Sequence, residues 1–177
     1  LVLRRQRQMC IRDSPSSAVA GLYRGITNIL CEVDKTDPIL LNKVLTILNN
    51  LNMKIIYMDP ESHDEHISYV SHLSHVTSFI LAKTVIEKER NEKNIFDLAG
   101  SGFESTVRLA KSSPFMWTPI FLQNKYNLVE ALDKYVKNLN DLKTKIINDD
   151  QESIISDLNN INRVKKILGG INNKNEK

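Results

Sequence analysis

Cysteine is nearly absent: Cys10 and Cys31 are the only two in 177 residues, and they lack the spacing of a metal or redox motif. Nothing supports a disulfide framework, and a reducing cytoplasm is the default expectation. Aromatic residues make up only 6% of the chain, so the core must be built mostly from Leu, Ile and Val, which suits helices packed on helices. No apolar run approaches the roughly 18 residues of a membrane-spanning helix. Charge of one sign is scarce too. The 24 basic and 21 acidic residues leave a net charge of +3, too weak a surplus to argue for nucleic acid or a membrane surface as partner. The opening stretch, residues 1–14 (LVLRRQRQMCIRDS), is basic but lacks the apolar segment of a secretory signal. Having no helical or strand period, it reads as a non-native or disordered lead-in and is set apart from the fold. The chain contains no internal repeat.

What is present falls into two patterns. Residues 28–33 (NILCEV) and 53–58 (MKIIYM) are short apolar runs of the kind found in buried strands. Between them Asp37-Pro38 opens a stretch with helical apolar spacing, Asp37 suited to cap it and Pro38 to its first turn. The unit is a β-α-β crossover of about 30 residues, too small to be a domain, and its exposed sheet edges suggest that more of the sheet lies elsewhere. From Pro60 onward the pattern is helical. A long helix is expected over 61 to about 90, then punctuation at AGSG (residues 99–102) and a short helix from about Glu104 to Lys111. Ser112-Ser113-Pro114 should start a long helix through about Ile147, and Asp149 or Asp150 should cap a last helix fading near Gly169-Gly170. The expected fold class is mainly α: a C-terminal helical domain preceded by a β-α-β remnant.

All four histidines lie within thirteen residues: His63, His66, His72 and His75. At about 100° per residue, with His63 at zero, His66 falls at about 300°, His72 at about 180° and His75 at about 120°. One helix therefore cannot bring all four to one ion, and no Cys or third ligand lies nearby, so no metal site is expected. The same wheel places Asp64, Ser68, Ser71 and His75 in one stripe between about 80° and 140°. On a helix otherwise largely apolar, such a stripe faces either solvent or a polar cavity. Ser71 and His75, at i, i+4, are within hydrogen-bonding reach. A Ser-His hydrolase would further need an orienting acid and an oxyanion hole, and no GxSxG-type elbow surrounds Ser71 or Ser74.

The second concentration of signal is AGSGFESTVRLAKSSPFMW, residues 99–117. Gly100 and Gly102 permit backbone geometries closed to other residues and close approach to a ligand, although the spacing is not a nucleotide-binding GxGxxG. Arg108, between Val107 and Leu109, is either a snorkelling surface residue or a carboxylate clamp. Met116 and Trp117 are of the type that more often fills a core.

HDEHISYVSHLSH (residues 63–75) followed by AGSGFESTVRLAKSSPFMW resembles, in order and separation, the two signature stretches of the prephenate dehydrogenase family. Those read HD…SHLPH on a helix, then a GGGFxDxTRxA turn and a downstream MW. The resemblance spans about Pro15 to Leu168. It implies oxidative decarboxylation of prephenate to 4-hydroxyphenylpyruvate with NAD or NADP. By the same resemblance Arg108 binds a prephenate carboxylate, a task suited to a bidentate guanidinium, and Ser71 and His75 line the substrate pocket. Gly102 is a candidate support for the pocket, Trp117 supports either the pocket or the dimer core, and His72 is structural. The implied architecture is a remnant of a Rossmann nicotinamide-binding domain over residues 15–59, a helical dimerisation domain over 60–170 and a polar tail over 171–177.

The chain departs from the family pattern in several places. Ser74 stands for the proline of SHLPH, which should leave the helix straighter. Ser105 stands for the acidic residue and Val107 for the threonine before the arginine, so the hydrogen bonds that orient Arg108 in the family are altered. No phosphate-cradling glycine fingerprint occurs in the chain, and the family's HPMAG-type catalytic histidine falls upstream of Pro15 in the family pattern. The expectation is a fragment that holds about half the substrate site, assigns its cofactor and catalytic histidine to sequence upstream, and is inactive alone. Arogenate is the alternative substrate. A non-catalytic helical dimerisation module is the alternative class, since Ile120, Leu128, Leu132, Tyr135, Leu139, Leu142 and Ile146 recur at roughly heptad spacing.

Overall fold

The computed structural model describes residues 20–91 and 94–167. The expectations for residues 1–14 and for the 171–177 tail lie outside the described residues, whereas the last helix, expected to fade near Gly169-Gly170, already ends at Ile161, where a turn interrupts it. The chain divides into two compact units, one of residues up to Pro60 together with those from Glu152 onward, the other Glu61–Gln151.

The first unit is built on the crossover read from the sequence. Strand β1 (Thr27–Leu30) leads through a 3-10 turn (Val33–Lys35) to helix α1 (Pro38–Asn50) and strand β2 (Lys54–Tyr57). The strands pair in parallel, from Thr27 opposite Lys54 to Leu30 opposite Tyr57. Helix α1 begins where it does because the Asp37 carboxylate accepts the Ile39 and Leu40 amides at 2.9 and 3.0 Å, while Pro38 takes the first helical position. Leu30, Leu48 and Met53 form the buried core, with Tyr23, Ile26, Val44 and Ile55 packed around it. The core covers only part of α1: Ile39, Leu40 and Ile47 stay exposed. Helix α7 (Gln151–Ile161) belongs almost entirely to this unit.

The second unit opens with helix α2 (Pro60–Ile67), which runs directly into a π-helical turn (Ser68–His72) and then helix α3 (Leu73–Asn91). The expected helix over 61–90 is present, but it is not regular. The Leu73 amide reaches back five residues to the Ser68 carbonyl, and the extra residue in that turn shifts the helical phase. Helix α4 (Ser101–Val107) tightens into a 3-10 turn (Arg108–Lys111), and helices α5 (Pro114–Gln123) and α6 (Lys125–Ile147) follow. The single helix expected from Pro114 to about Ile147 is thus two. Asn124 leaves helical geometry at φ −109°, ψ 33°, and its side-chain amide nitrogen bonds to the α2–α3 helix, a habit that makes asparagine a poor interior helix residue. Leu128 and Ala131 of α6 are buried, whereas Tyr135, Val136, Leu139 and Ile146 farther along are exposed. No helix among the described residues is long and apolar enough to cross a membrane.

Replacing Asp37 with alanine removes two accepted amide bonds and should destabilise the first unit by about 1 kcal/mol. Denaturant unfolding of the variant measures this, and an unchanged midpoint would dismiss the cap as a stabilising element.

Candidate functional site

The helix running from α2 into α3 is polar on its inner face. Ser68, Ser71, His72, His75 and Ser78 are all buried, while Val70 is 73% exposed and Ile80 54% exposed on the other side. The stripe predicted from the wheel is therefore not a solvated face: three of its four members are buried, with Asp64 intermediate. His72, placed about 100° from Ser71 by regular helical geometry, is buried as well, because the π turn rotates that part of the helix out of regular phase.

Burial obliges these groups to find partners. The Ser68 hydroxyl donates to the Glu65 carbonyl at 2.6 Å. His63 Nδ1 lies 2.9 Å from the neighbouring Asp64 carboxylate. His72 Nδ1 lies 3.3 Å from the Asn124 amide nitrogen, which also donates to the Asp64 carbonyl at 2.6 Å. The Asn124 oxygen accepts from Asn127 at 2.8 Å. With its amide so oriented, Asn124 is the donor to His72, whose Nδ1 must be the acceptor. Asn124 was not singled out from the sequence; it is one of four asparagines in a continuous helical pattern, and nothing local distinguishes it from Asn127, Asn138 and Asn140.

His75 is 5% exposed, and its Nδ1 donates to the Ser71 carbonyl at 2.9 Å. The partner is the main-chain oxygen of Ser71, so through this nitrogen His75 is not the base that a nucleophilic Ser71 would need. The imidazole stacks on Trp117, ring centres 3.5 Å apart and planes 24° from parallel. His72 meets the same indole edge-on at 6.1 Å. Trp117 is 4% exposed, yet its Nε1–H has no hydrogen-bond partner among the described residues. A buried orphan donor is a standing cost of about 1–3 kcal/mol, and in native proteins such groups often mark a site that a ligand completes. The His75 pKa lies below its ordinary 6.5, first because burial strips solvent from the charged form and also because the Arg108 charge repels a second cation, with the Ser71 bond opposing both.

Arg108 is exposed, at the first position of the 3-10 turn. Among the described residues no carboxylate forms an ion pair with it; the nearby acid, Glu104, lies 3.6 Å from Lys111 instead. His75, Trp117 and Arg108 are thus assembled in one unit, with the cation felt by the imidazole. The expectation of an unusual glycine backbone is corrected. Neither Gly100 nor Gly102 adopts the left-handed backbone, and an added Cβ at either would meet nothing within 4 Å. Gly102 lies in the first turn of α4, a conformation any residue adopts, where its carbonyl accepts the Ser105 and Thr106 hydroxyls. Among the described residues no three of His, Cys, Asp or Glu come together as a metal site would require.

Residues 59–160, more than half of the chain, match the family model described as prephenate dehydrogenase, dimerization domain. The chain belongs to the prephenate dehydrogenase family. It is 28% identical to the prephenate dehydrogenase of Bacillus subtilis over 147 residues, which are 81% of this chain and 38% of that protein. Among solved structures, it resembles prephenate dehydrogenase from A. aeolicus in complex with hydroxyphenyl propionate and NAD+, with a TM-score of 0.75 and 36% identity. That match covers 84% of this chain and 52% of the other. Arogenate dehydrogenase from Synechocystis matches with a TM-score of 0.70 and 25% identity over 86% of this chain and 56% of that one. The chain therefore spans between about two fifths and somewhat over half of these relatives' length.

A dinucleotide, the cofactor bound in the A. aeolicus relative, does not fit the N-terminus of α1. A pyrophosphate would need free amides at a helix N-terminus after a parallel strand, but at α1 that place is filled by the Asp37 carboxylate.

Because the folded state prefers neutral His75, the unfolded chain binds more protons as pH falls past about 6.5. Stability contributed by this residue is full above that value and is lost on acidification. Urea unfolding of the parent and of His75→Asn between pH 5 and 7.5 checks this: the parent should lose more stability than the variant. Equal pH slopes would show that burial of the imidazole carries no proton linkage.

Proposed function

We propose that this chain supplies the substrate-binding and dimerising half of an enzyme that oxidatively decarboxylates prephenate to 4-hydroxyphenylpyruvate with NAD+ or NADP+, a reaction of tyrosine synthesis in the cytoplasm. The single observation that carries the reading is Arg108: an exposed guanidinium without an acidic partner among the described residues, acting on a neutral histidine that is stacked on an indole whose N–H finds no partner among them. A cation, a flat apolar wall and convergent donors are what an aromatic-ring precursor carrying a carboxylate requires. Arg108 would take the carboxylate in its planar fork. His75 and Ser71 would line the same pocket, with Trp117 as its wall and Gly102, where nothing crowds the space above the backbone, leaving room at its edge.

On this reading residues 15–59 are the last part of a Rossmann nicotinamide-binding domain, 60–170 the helical domain and 171–177 a tail. The partly uncovered α1 and the two-stranded parallel sheet favour the first assignment, since parallel strands are normally covered on both faces. The exposed Tyr135, Val136, Leu139 and Ile146 of α6 favour a homodimer. Arogenate is the second substrate reading, favoured by the likeness to the Synechocystis enzyme; it carries the same carboxylates and would engage Arg108 alike.

Two measurements test the proposal. Calorimetric titration with 3-(4-hydroxyphenyl)propionate should give saturable binding that weakens about ten- to a hundredfold in Arg108→Gln, the loss of a charge-assisted pair. Arg108→Lys should recover only part of it. Equal affinity in the parent and Arg108→Gln would remove Arg108 from the site. Supplied with prephenate and NAD+ or NADP+, the chain alone should form no reduced nicotinamide, and sustained turnover would refute the division of labour.

A further inference from the structure

We propose that Ser78 is the positioning residue for Arg108: its buried hydroxyl is inserted into the backbone of the segment that carries the arginine and sets where the guanidinium emerges beside His75. The proposal rests on the reading of Arg108 as a carboxylate clamp. Ser78 is 1% exposed on α3. Its hydroxyl donates to the Thr106 carbonyl at 3.0 Å and accepts the Ala110 amide at 3.1 Å. Those two groups, i and i+4, are the pair that an uninterrupted α-helix would join directly. A side chain wedged into that ladder bends or ends a helix. Here α4 ends at Val107, with φ −91° and ψ 4°, and the tighter 3-10 turn begins at Arg108. Arg108 sits midway between the two bonded residues, so the hydroxyl holds its backbone from both sides.

The segment's own side chains do not serve this purpose. The Ser105 and Thr106 hydroxyls both turn back to the Gly102 carbonyl, and Val107 has none. Ser78 also continues the inward polar face by one more turn after Ser71 and His75, so the same helix places the imidazole and anchors the arginine. Arg108 in the 3-10 turn is the charged group bearing on His75. The neighbouring His72 of the π turn faces the Trp117 edge.

The test uses the intact chain and the variants Ser78→Ala, Ser78→Thr, Arg108→Gln and the double variant Ser78→Ala/Arg108→Gln. The first readout needs no ligand: NMR titration of the four histidine rings, with His75 assigned through His75→Asn. Ser78→Ala and Arg108→Gln should each raise the His75 midpoint. The double variant should rise no further than Arg108→Gln, and Ser78→Thr should stay near the parent. An unmoved midpoint in Ser78→Ala, or a shift of equal size on top of Arg108→Gln, would overturn the proposal, because Ser78 would not act through Arg108. The second readout compares 3-(4-hydroxyphenyl)propionate with 4-propylphenol, which lacks the carboxylate. Ser78→Ala should weaken the first roughly tenfold and leave the second unchanged. If Arg108→Gln weakens the propionate and Ser78→Ala does not, the clamp stands and Ser78's role falls. If neither the parent nor Arg108→Gln discriminates between the ligands, the clamp falls while the titration still decides whether Ser78 places Arg108. In Ser78→Ala the Thr106 carbonyl and Ala110 amide can pair with each other, so the variant retains a route to a satisfied fold. Should it nevertheless unfold, Ser78→Cys, a weaker donor, is expected to give the same changes at smaller size, and no change would overturn the proposal.

Discussion

Buried polar groups must be paired, and the helix from Pro60 to Asn91 buries six of them, His63, Ser68, Ser71, His72, His75 and Ser78. That constraint organises the second unit. It explains why Asn124 breaks the α5–α6 helix to reach Asp64 and His72, and why Ser78 reaches into the α4 segment. It also explains why the His75 ring is held by the Ser71 carbonyl. Had this face been Leu and Val, the neighbouring helices could have slid or rotated at small cost. Directional partners instead specify one register for each. Two apolar residues of the same helix, Val70 and Ile80, point outward while Ile67, Leu73 and Val76 are only half-buried, so the most buried face of this helix is polar, unlike that of a usual surface helix.

The consequence for chemistry is preorganisation. His75 is kept neutral by burial and by the Arg108 charge, while its Nδ1 is committed to a main-chain oxygen. Trp117 is clamped between two histidine rings, one stacked and one edge-on. Arg108, by contrast, has no acidic partner among the described residues to release before binding an anion. The Trp117 N–H, buried without a partner among the described residues, is a cost in the free chain that an acceptor atom of a ligand would offset.

Much of this was legible from residue types and spacing. The crossover and its Asp37 cap follow from a strand-helix-strand pattern with Asp-Pro between, and the mainly helical fold follows from apolar periodicity. The polar stripe was visible at regular spacing, but its burial was not, because a helical wheel cannot say what packs on a face. The π turn was invisible to any fixed-angle wheel, which is why His72 seemed to point away. Ser78 lies at about 60° on that wheel, beside Ser71, so extending the stripe by three residues would have found it. Gly102 misled in the other direction: glycine permits unusual backbone, but α4 did not require it. The partner of Asn124, sixty residues away, is a tertiary fact with no local signature.

The central claim is that Trp117, His75 and Arg108 form one ligand site, and the chain's single tryptophan makes that testable directly. Its indole N–H gives one assignable NMR resonance. Titration with 3-(4-hydroxyphenyl)propionate should move that resonance and the His75 ring signal along the same saturation curve, with the movement suppressed in Arg108→Gln. A ligand that binds while leaving the indole N–H unmoved would contradict the account.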